Sequence, residues 1–144
     1  MSNTITSANS SLSLNVPGVF PVPVPIEGFA TDDAFDTENV VPNETLMGVD
    51  GTLSGGYTPY PVKQKIVLQA DSPSIAVFDA WRQAMDAAHE AYQASMTIIC
   101  PSIGKVFTFV GGFLTGGMPA PPGKKVLQPQ TFEITFQSVS AAPI

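Results

Sequence analysis

The residues able to attack, ligate or shuttle protons are few and scattered in this chain. There is one histidine, His89, and one cysteine, Cys100. His89 lies in an alanine-rich run that reads as helix, beside the apolar stripe, and suits a helix flank or an interface. No second histidine or cysteine exists to complete a soft metal site. Cys100 ends the apolar run Met96-Thr97-Ile98-Ile99-Cys100 with no basic residue beside it to favour a thiolate, so it reads as a small buried hydrophobe. A Cys100–His89 nucleophile pair would lack a third, orienting group. Asp32, Asp33, Asp36 and Glu38 suggest a hard cation, yet a calcium loop counted from Asp33 has Phe35 at a ligand position and Glu38 where glycine belongs. The glycines at 111, 112, 116 and 117 lack the Gly-Lys-Ser/Thr ending of a phosphate loop, and Gly123-Lys124-Lys125 runs on into Val126. Asn9-Ser10-Ser11 and Asn43-Glu44-Thr45 match glycosylation acceptors, idle without a secretory route. No catalytic constellation emerges. The expectation is a protein that is not an enzyme and binds no metal or cofactor.

Charge narrows the class further. The 144 residues suit one domain, spanning 1–144, and only 12% are charged, half of the usual 25% or so. The net charge is −6 and the isoelectric point about 4.4, which argues against gripping nucleic acid, a task that needs surplus Lys and Arg. The charges are also segregated. No Lys or Arg precedes Lys63, while Glu27, Asp32, Asp33, Asp36, Glu38, Glu44 and Asp50 crowd the first part. Such a stretch is either a solvated loop or a surface that must repel something negative. One cysteine excludes an internal disulfide, no apolar run nears the roughly 18 residues of a spanning helix, and Met1-Ser2-Asn3-Thr4-Ile5 lacks a signal-peptide pattern. A soluble protein without membrane anchor is expected.

Periodicity supplies the elements. Residues 1–31 form an N-terminal arm and edge-strand region. In it Leu12, Leu14 and Val16 alternate as on a half-buried strand. Pro21, Val22, Pro23, Val24 and Pro25 follow. Prolines at every second position strip donors from one border only, so this segment can pair with one neighbour and not two. Residues 27–45 read as loop. Asp50-Gly51 between apolar flanks signals a hairpin with a type I′ turn, and Ser54 to Pro61, carrying Tyr57 and Tyr60, reads as a flexible aromatic loop.

Val62 to Ala70 predicts a strand with Val62, Gln64, Ile66, Leu68 and Ala70 on one face, and Lys63, Lys65, Val67 and Gln69 on the other. Asp71-Ser72-Pro73-Ser74 then opens a helix over 73–94 with Pro73 at its first position. Its stripe is Ile75, Phe78, Trp81, Met85, Ala88 and Tyr92. Strands follow at 96–100, 105–110 and 130–139, the last turning Phe132, Ile134 and Phe136 inward and Glu133, Thr135 and Gln137 outward. Gly111 to Lys125 reads as a long pliable connection. The sum is a mainly β domain, a β-sandwich or partly closed barrel with one central helix and extended arm and loops.

Three stretches carry a resemblance: Met47-Gly48-Val49-Asp50-Gly51-Thr52-Leu53-Ser54-Gly55-Gly56, Ile66 through Ser74 and the helix, and Gly116-Gly117-Met118-Pro119 to Phe136. Together, over residues 46–139, they resemble the tail tube proteins of tailed bacteriophages. The resemblance implies a structural virion protein, a β-sandwich with one helix. It would assemble with itself into hexameric rings, stacked into the hollow tube through which DNA passes without specific binding. Sheath, baseplate and tail terminator proteins are the further partners it implies. The implied location is the virion tail, assembled in the host cytoplasm. Alternatives are a terminator or baseplate ring protein of the same fold, or a non-viral binding module using Tyr57 and Tyr60. For a self-assembling subunit the expected interface is Pro21, Val22, Pro23, Val24, Pro25, Asp50, Gly51, Tyr57 and Tyr60. The expected lumen face is Lys63, Lys65, Glu133, Thr135 and Gln137, whose lysines would need carboxylates nearby to avoid holding phosphates.

Overall fold

The computed structural model describes residues 10–20, 22–27, 29 and 35–144. Strand β1 (Ser11–Asn15) turns Leu12 and Leu14 inward, and both are fully buried with Val16. Strand β2 (Val24–Ile26) pairs antiparallel with it, setting Val24 against Leu14 and Ile26 against Leu12, with Pro25 between them. The proline thus occupies the position whose N–H would point outward, and β2 ends the sheet as the spacing predicts. Pro21, Asp32 and Asp33 lie outside the described residues.

The acidic stretch is more ordered than its sequence suggests. Strand β3 (Phe35–Thr37) pairs with β6 (Val62–Leu68), and strand β4 (Asn43–Met47) pairs with β5 (Leu53–Tyr57). The loop readings of 27–45 and of the Tyr57 segment are therefore corrected. Their alternation is weak because β4 and β5 are exposed on both faces and β3 is very short. Strand β6 stops at Leu68, two residues short of Ala70. Its expected inner face holds, with Val62, Gln64, Ile66 and Leu68 fully buried, but Val67 of the opposite face is buried as well. The Gln64 side chain accepts a hydrogen bond from the Thr37 hydroxyl and donates one to the Lys65 carbonyl at 3.5 Å, which satisfies a buried amide.

The architecture turns on one long bent ribbon. Strand β8 (Lys105–Gly117) runs straight through the glycines expected to form a pliable connection. Strands β9 (Gln130–Phe136) and β10 (Ser138–Pro143), read from sequence as one shorter strand, together line its whole length. Pro143 faces Lys105, Ser138 faces Val110, Thr135 faces Phe113 and Phe132 faces Gly117. The bend sits at Gly111 and Gly112. Gly111 has φ +65°, and a Cβ on Gly112 would stand 2.5 Å from the Phe136 ring. Strand β7 (Ala94–Cys100) lines the other border of the first half of β8, and β1 pairs with β7. The order is β2-β1-β7-β8-β9-β6-β3, with β10 beside β8. Among the described residues no ladder joins β2 to β3, so the sheet is not a closed barrel. A bridge between Phe29 and Leu68 narrows the gap.

Helix α1 (Ile75–Ala88) is shorter than the span 73–94. Pro73 stays outside it because the neighbouring serines are engaged elsewhere. Ser72 donates its hydroxyl to the Glu27 carbonyl, while the Ser74 hydroxyl accepts the Glu27 N–H at 2.7 Å. At the other end His89 takes φ 55°, and its N–H caps the Met85 carbonyl at 2.8 Å, which stops the helix. Val77, Phe78 and Trp81 are its buried face, and Ala88 is exposed. Phe78 stacks on Phe132 with ring centroids 4.3 Å apart, a contact that contributes about 0.5–1.5 kcal/mol beyond burial. The Trp81 indole N–H donates to the Tyr92 carbonyl at 3.1 Å. All these side chains join one hydrophobic cluster with Leu12, Leu14, Val62, Ile66, Met96, Ile98, Phe109, Phe132, Ile134 and Phe136. Among the described residues no helix is long and apolar enough to cross a membrane.

Gly112→Ala is expected to lower unfolding stability by about 1–3 kcal/mol in chemical denaturation, since Phe136 has nowhere to retreat inside the core. Gly56→Ala, where a Cβ meets nothing within 4 Å, should change it by no more than about 0.5 kcal/mol.

Candidate assembly surfaces

Residues 43–57 form an arm with no side chain buried. The β4–β5 hairpin is a separate two-stranded sheet. Its base is closed by the Thr58 N–H on the Pro42 carbonyl at 2.9 Å. On one face Met47 stands opposite Leu53, and Tyr57 opposite Asn43. On the other Leu46 stands opposite Ser54. Val49 at the tip is entirely exposed, Leu46 77% and Tyr57 72%. An isolated two-stranded hairpin is marginal in water, and this one displays its apolar side chains outward.

The turn differs from the expected type I′, which needs positive φ at both Asp50 and Gly51. Only Gly51 has it, at φ +86°. The Gly51 N–H closes a turn on the Gly48 carbonyl at 3.0 Å, and the Gly48 N–H bonds the Thr52 carbonyl at 2.8 Å. This is a three-residue hairpin loop whose last residue is left-handed. The Asp50 carboxylate accepts the Thr52 N–H at 3.0 Å. That backbone bond, with help from the Thr52 hydroxyl, holds the Asp50 carboxyl below the usual carboxylate range.

Of the other expected interface residues, Val22 is exposed, Val24 packs against the core, and Pro23 and Pro25 are exposed along β2. Tyr60 also packs against the core. Tyr60 comes two residues before the buried Val62 that starts β6 and packs on the same inner side.

Lys63, Lys65, Glu133 and Thr135 share the outer face of the β3-β6-β9 layer. Lys65 stands between Asp36 on one side and Glu133 on the other, in direct cross-strand register. Lys63 stands opposite Thr135, and the Glu38 N–H on the Lys63 carbonyl at 2.9 Å brings Glu38 alongside it. The Thr115 hydroxyl bonds Glu133 at 3.2 Å and Thr135 at 3.0 Å. Asp36, Glu38 and Glu133 outnumber the two lysines. Sequence spacing could not reveal this pairing, because the register of β3 on β6 is a tertiary fact. Gln137 lies past β9 at the bend and covers Gly111.

Nothing convergent surrounds the reactive residues. His89 sits at the C-terminal end of α1, and Cys100 ends β7, a strand about 20 Å long whose opposite end is the one nearer His89 in the chain. Among the described residues no three of His, Cys, Asp and Glu cluster as metal ligands.

The family described as tail fiber protein gp32 matches residues 3–140. The chain belongs to that family. It is a structural, non-enzymatic tail protein. Solved structures share its fold at low identity. A chain of an extracellular contractile injection system, PVC sheath–tube complex in the extended state, is 10% identical with TM-score 0.69, covering 98% of this chain and 93% of that one. A chain of the anti-feeding prophage tube-terminating cap is 8% identical with TM-score 0.67, covering 100% and 94%. A chain of the anti-feeding prophage baseplate, 6-fold symmetrised, is 14% identical with TM-score 0.61, covering 99% and 98%. No curated protein matches the sequence.

The Asp50 turn gives a direct solution test. Its carboxylate–amide bond is present above the unfolded pKa and is lost as pH falls through the depressed folded value. The Thr52 amide resonance should titrate with a midpoint below that of an ordinary aspartate carboxyl, and Asp50→Asn should abolish that titration.

Proposed function

We propose that this chain is the repeating subunit of a tail tube, closing into six-membered rings that stack into a hollow conduit for DNA. The observation that carries the reading is the β4–β5 arm, whose apolar side chains stand largely exposed among the described residues. A ring closes by rotational symmetry, and an axial stack is a head-to-tail contact that grows without closing. An arm reaching out of the subunit suits such contacts. The family's description names a fiber, while the fold resembles chains from tube, cap and baseplate assemblies. We follow the fold in reading a tube.

The outer face of the β3-β6-β9 layer, with Lys63, Lys65, Glu133 and Thr135 and Gln137 beside it, is the proposed lining. Carboxylates across from both lysines support passage of a polyanion without retention. The net charge of −6 acts in the same sense. It also makes subunits repel one another, so assembly must draw on apolar and backbone groups. Val22, Pro23 and Pro25 along β2, with Asp50, Gly51 and Tyr57 on the arm, are the proposed interface. Sheath, baseplate and terminator proteins are the proposed neighbours in the virion, and the host cytoplasm the site of assembly. A second reading, a capping or baseplate ring, is favoured by the likeness to the cap chain.

Electron microscopy of the purified protein tests both. Elongating tubes with a central bore are expected, whereas single rings that never lengthen support the cap. Val49→Asp with Leu53→Asp should leave the thermal melt within about 0.5 kcal/mol of wild type, because both side chains are exposed, yet abolish assembly. A wild-type protein that stays monomeric at high concentration overturns the proposal.

A further inference from the structure

The loop between β8 and β9 carries features the tube reading leaves unused. Lys124 and Lys125 are the single pair of adjacent bases in the sequence. Both are exposed, and they run directly into Val126 and Leu127, 72% and 57% exposed. The loop is held in shape from within. The Gln128 N–H bonds the Pro122 carbonyl at 2.9 Å, the Gln128 side-chain amide bonds the Val126 carbonyl at 2.9 Å, and Gly123 bridges Leu127. Val126 and Leu127, with Gln69, Ala70, Asp71 and Pro129, line an open cavity of about 540 Å³. Here two exposed apolar side chains border a cavity beside a pair of positive charges, with Asp71 the one acid in its lining among the described residues.

The β4–β5 arm has the opposite character. It carries Glu44 and Asp50 and no base, and it presents Leu46, Met47, Val49 and Leu53. Its Gly55 and Gly56 have no reason within the subunit to be glycine. Their φ angles are not positive, a Cβ at Gly56 meets nothing within 4 Å, and at Gly55 only ordinary contacts arise. Bare backbone in an exposed strand leaves room for another surface to approach closely.

We propose that the arm of one copy docks on the 124–129 loop of a second copy. Its apolar side chains cover Val126 and Leu127, and Glu44 and Asp50 lie against Lys124 and Lys125. The inference rests on the tube reading and names the receptor for its arm. Every copy carries both halves, −2 on the arm and +2 on the loop, so the contact is head-to-tail and repeats along the assembly. Opposite charges at such a contact fix its register and speed encounter, and a loop already held in shape loses little freedom on binding.

Charge exchange tests it in the full-length protein. The arm variant Glu44→Lys with Asp50→Asn keeps an acceptor for the Thr52 N–H while changing the arm from −2 to +1. The loop variant Lys124→Glu with Lys125→Glu reverses the receptor from +2 to −2. Each alone should raise the concentration needed for assembly at least about tenfold at low salt, with a smaller defect near 1 M salt. All four substitutions in one chain should recover most of that loss. Circular dichroism checks that each variant folds, and Gly56→Val provides a charge-neutral arm variant that should also block assembly without altering the melt. If either charge variant assembles as wild type, or the combined chain is as defective as its worse parent, the receptor assignment is overturned. In that case Val49→Asp with Leu53→Asp still abolishing assembly leaves the tube reading standing, so the two failures are distinguishable.

Discussion

Two layers of this fold depend on one strand serving both, and that is a steric problem before it is anything else. β8 must hydrogen-bond to β7 over its first half and lean on β9 throughout its second, which demands a sharp change of direction within a continuous ladder. Gly111 supplies the left-handed backbone, and Gly112 lets Phe136 sit where a side chain would otherwise be. Phe136 then packs at 5.1 Å on Phe109 from the other half of the strand. The aromatic pair spans the bend and ties the layers together. Without it, the inner faces of β1 and β6 would have no common core to enter.

The residues that face this core were legible from their alternation. Leu12, Leu14, Val62, Ile66, Leu68, Phe132, Ile134 and Phe136 all point where a period of two sends them. The helix start was misjudged by two residues because Ser72 and Ser74 bind Glu27, a partner far off in sequence. Its end was misjudged further, since Tyr92 continues the apolar spacing yet joins the core from beyond a left-handed His89. β3, and the parts of β4 and β5 beyond the apolar flanks of the Asp50-Gly51 turn, leave no mark in the sequence for a different reason. Solvent on both faces removes the alternation that would have marked the hairpin, and the Asp50-Gly51 signal located its turn without revealing its length.

The candidate surfaces were half legible. Spacing placed Lys63 and Lys65 on one face with Glu133 and Thr135, since strand parity alone decides that. It could not supply Asp36 and Glu38, which reach the lysines only because β3 pairs with β6 in one register and not another. Local charge therefore reads differently in sequence and in space. What looks like a purely acidic segment followed by a mixed one is partly an interleaved lattice of opposite signs.

Pro25 of β2 has a consequence for the protein before it meets any partner. A bare sheet margin at high concentration is a template for runaway fibre growth. With Pro25 set between Val24 and Ile26, the outer margin of β2 offers a newcomer no regular row of donors, and a stray strand finds no register there. That flank is thereby shielded from amyloid-like misassociation, by a ring closure written into the imino acid itself.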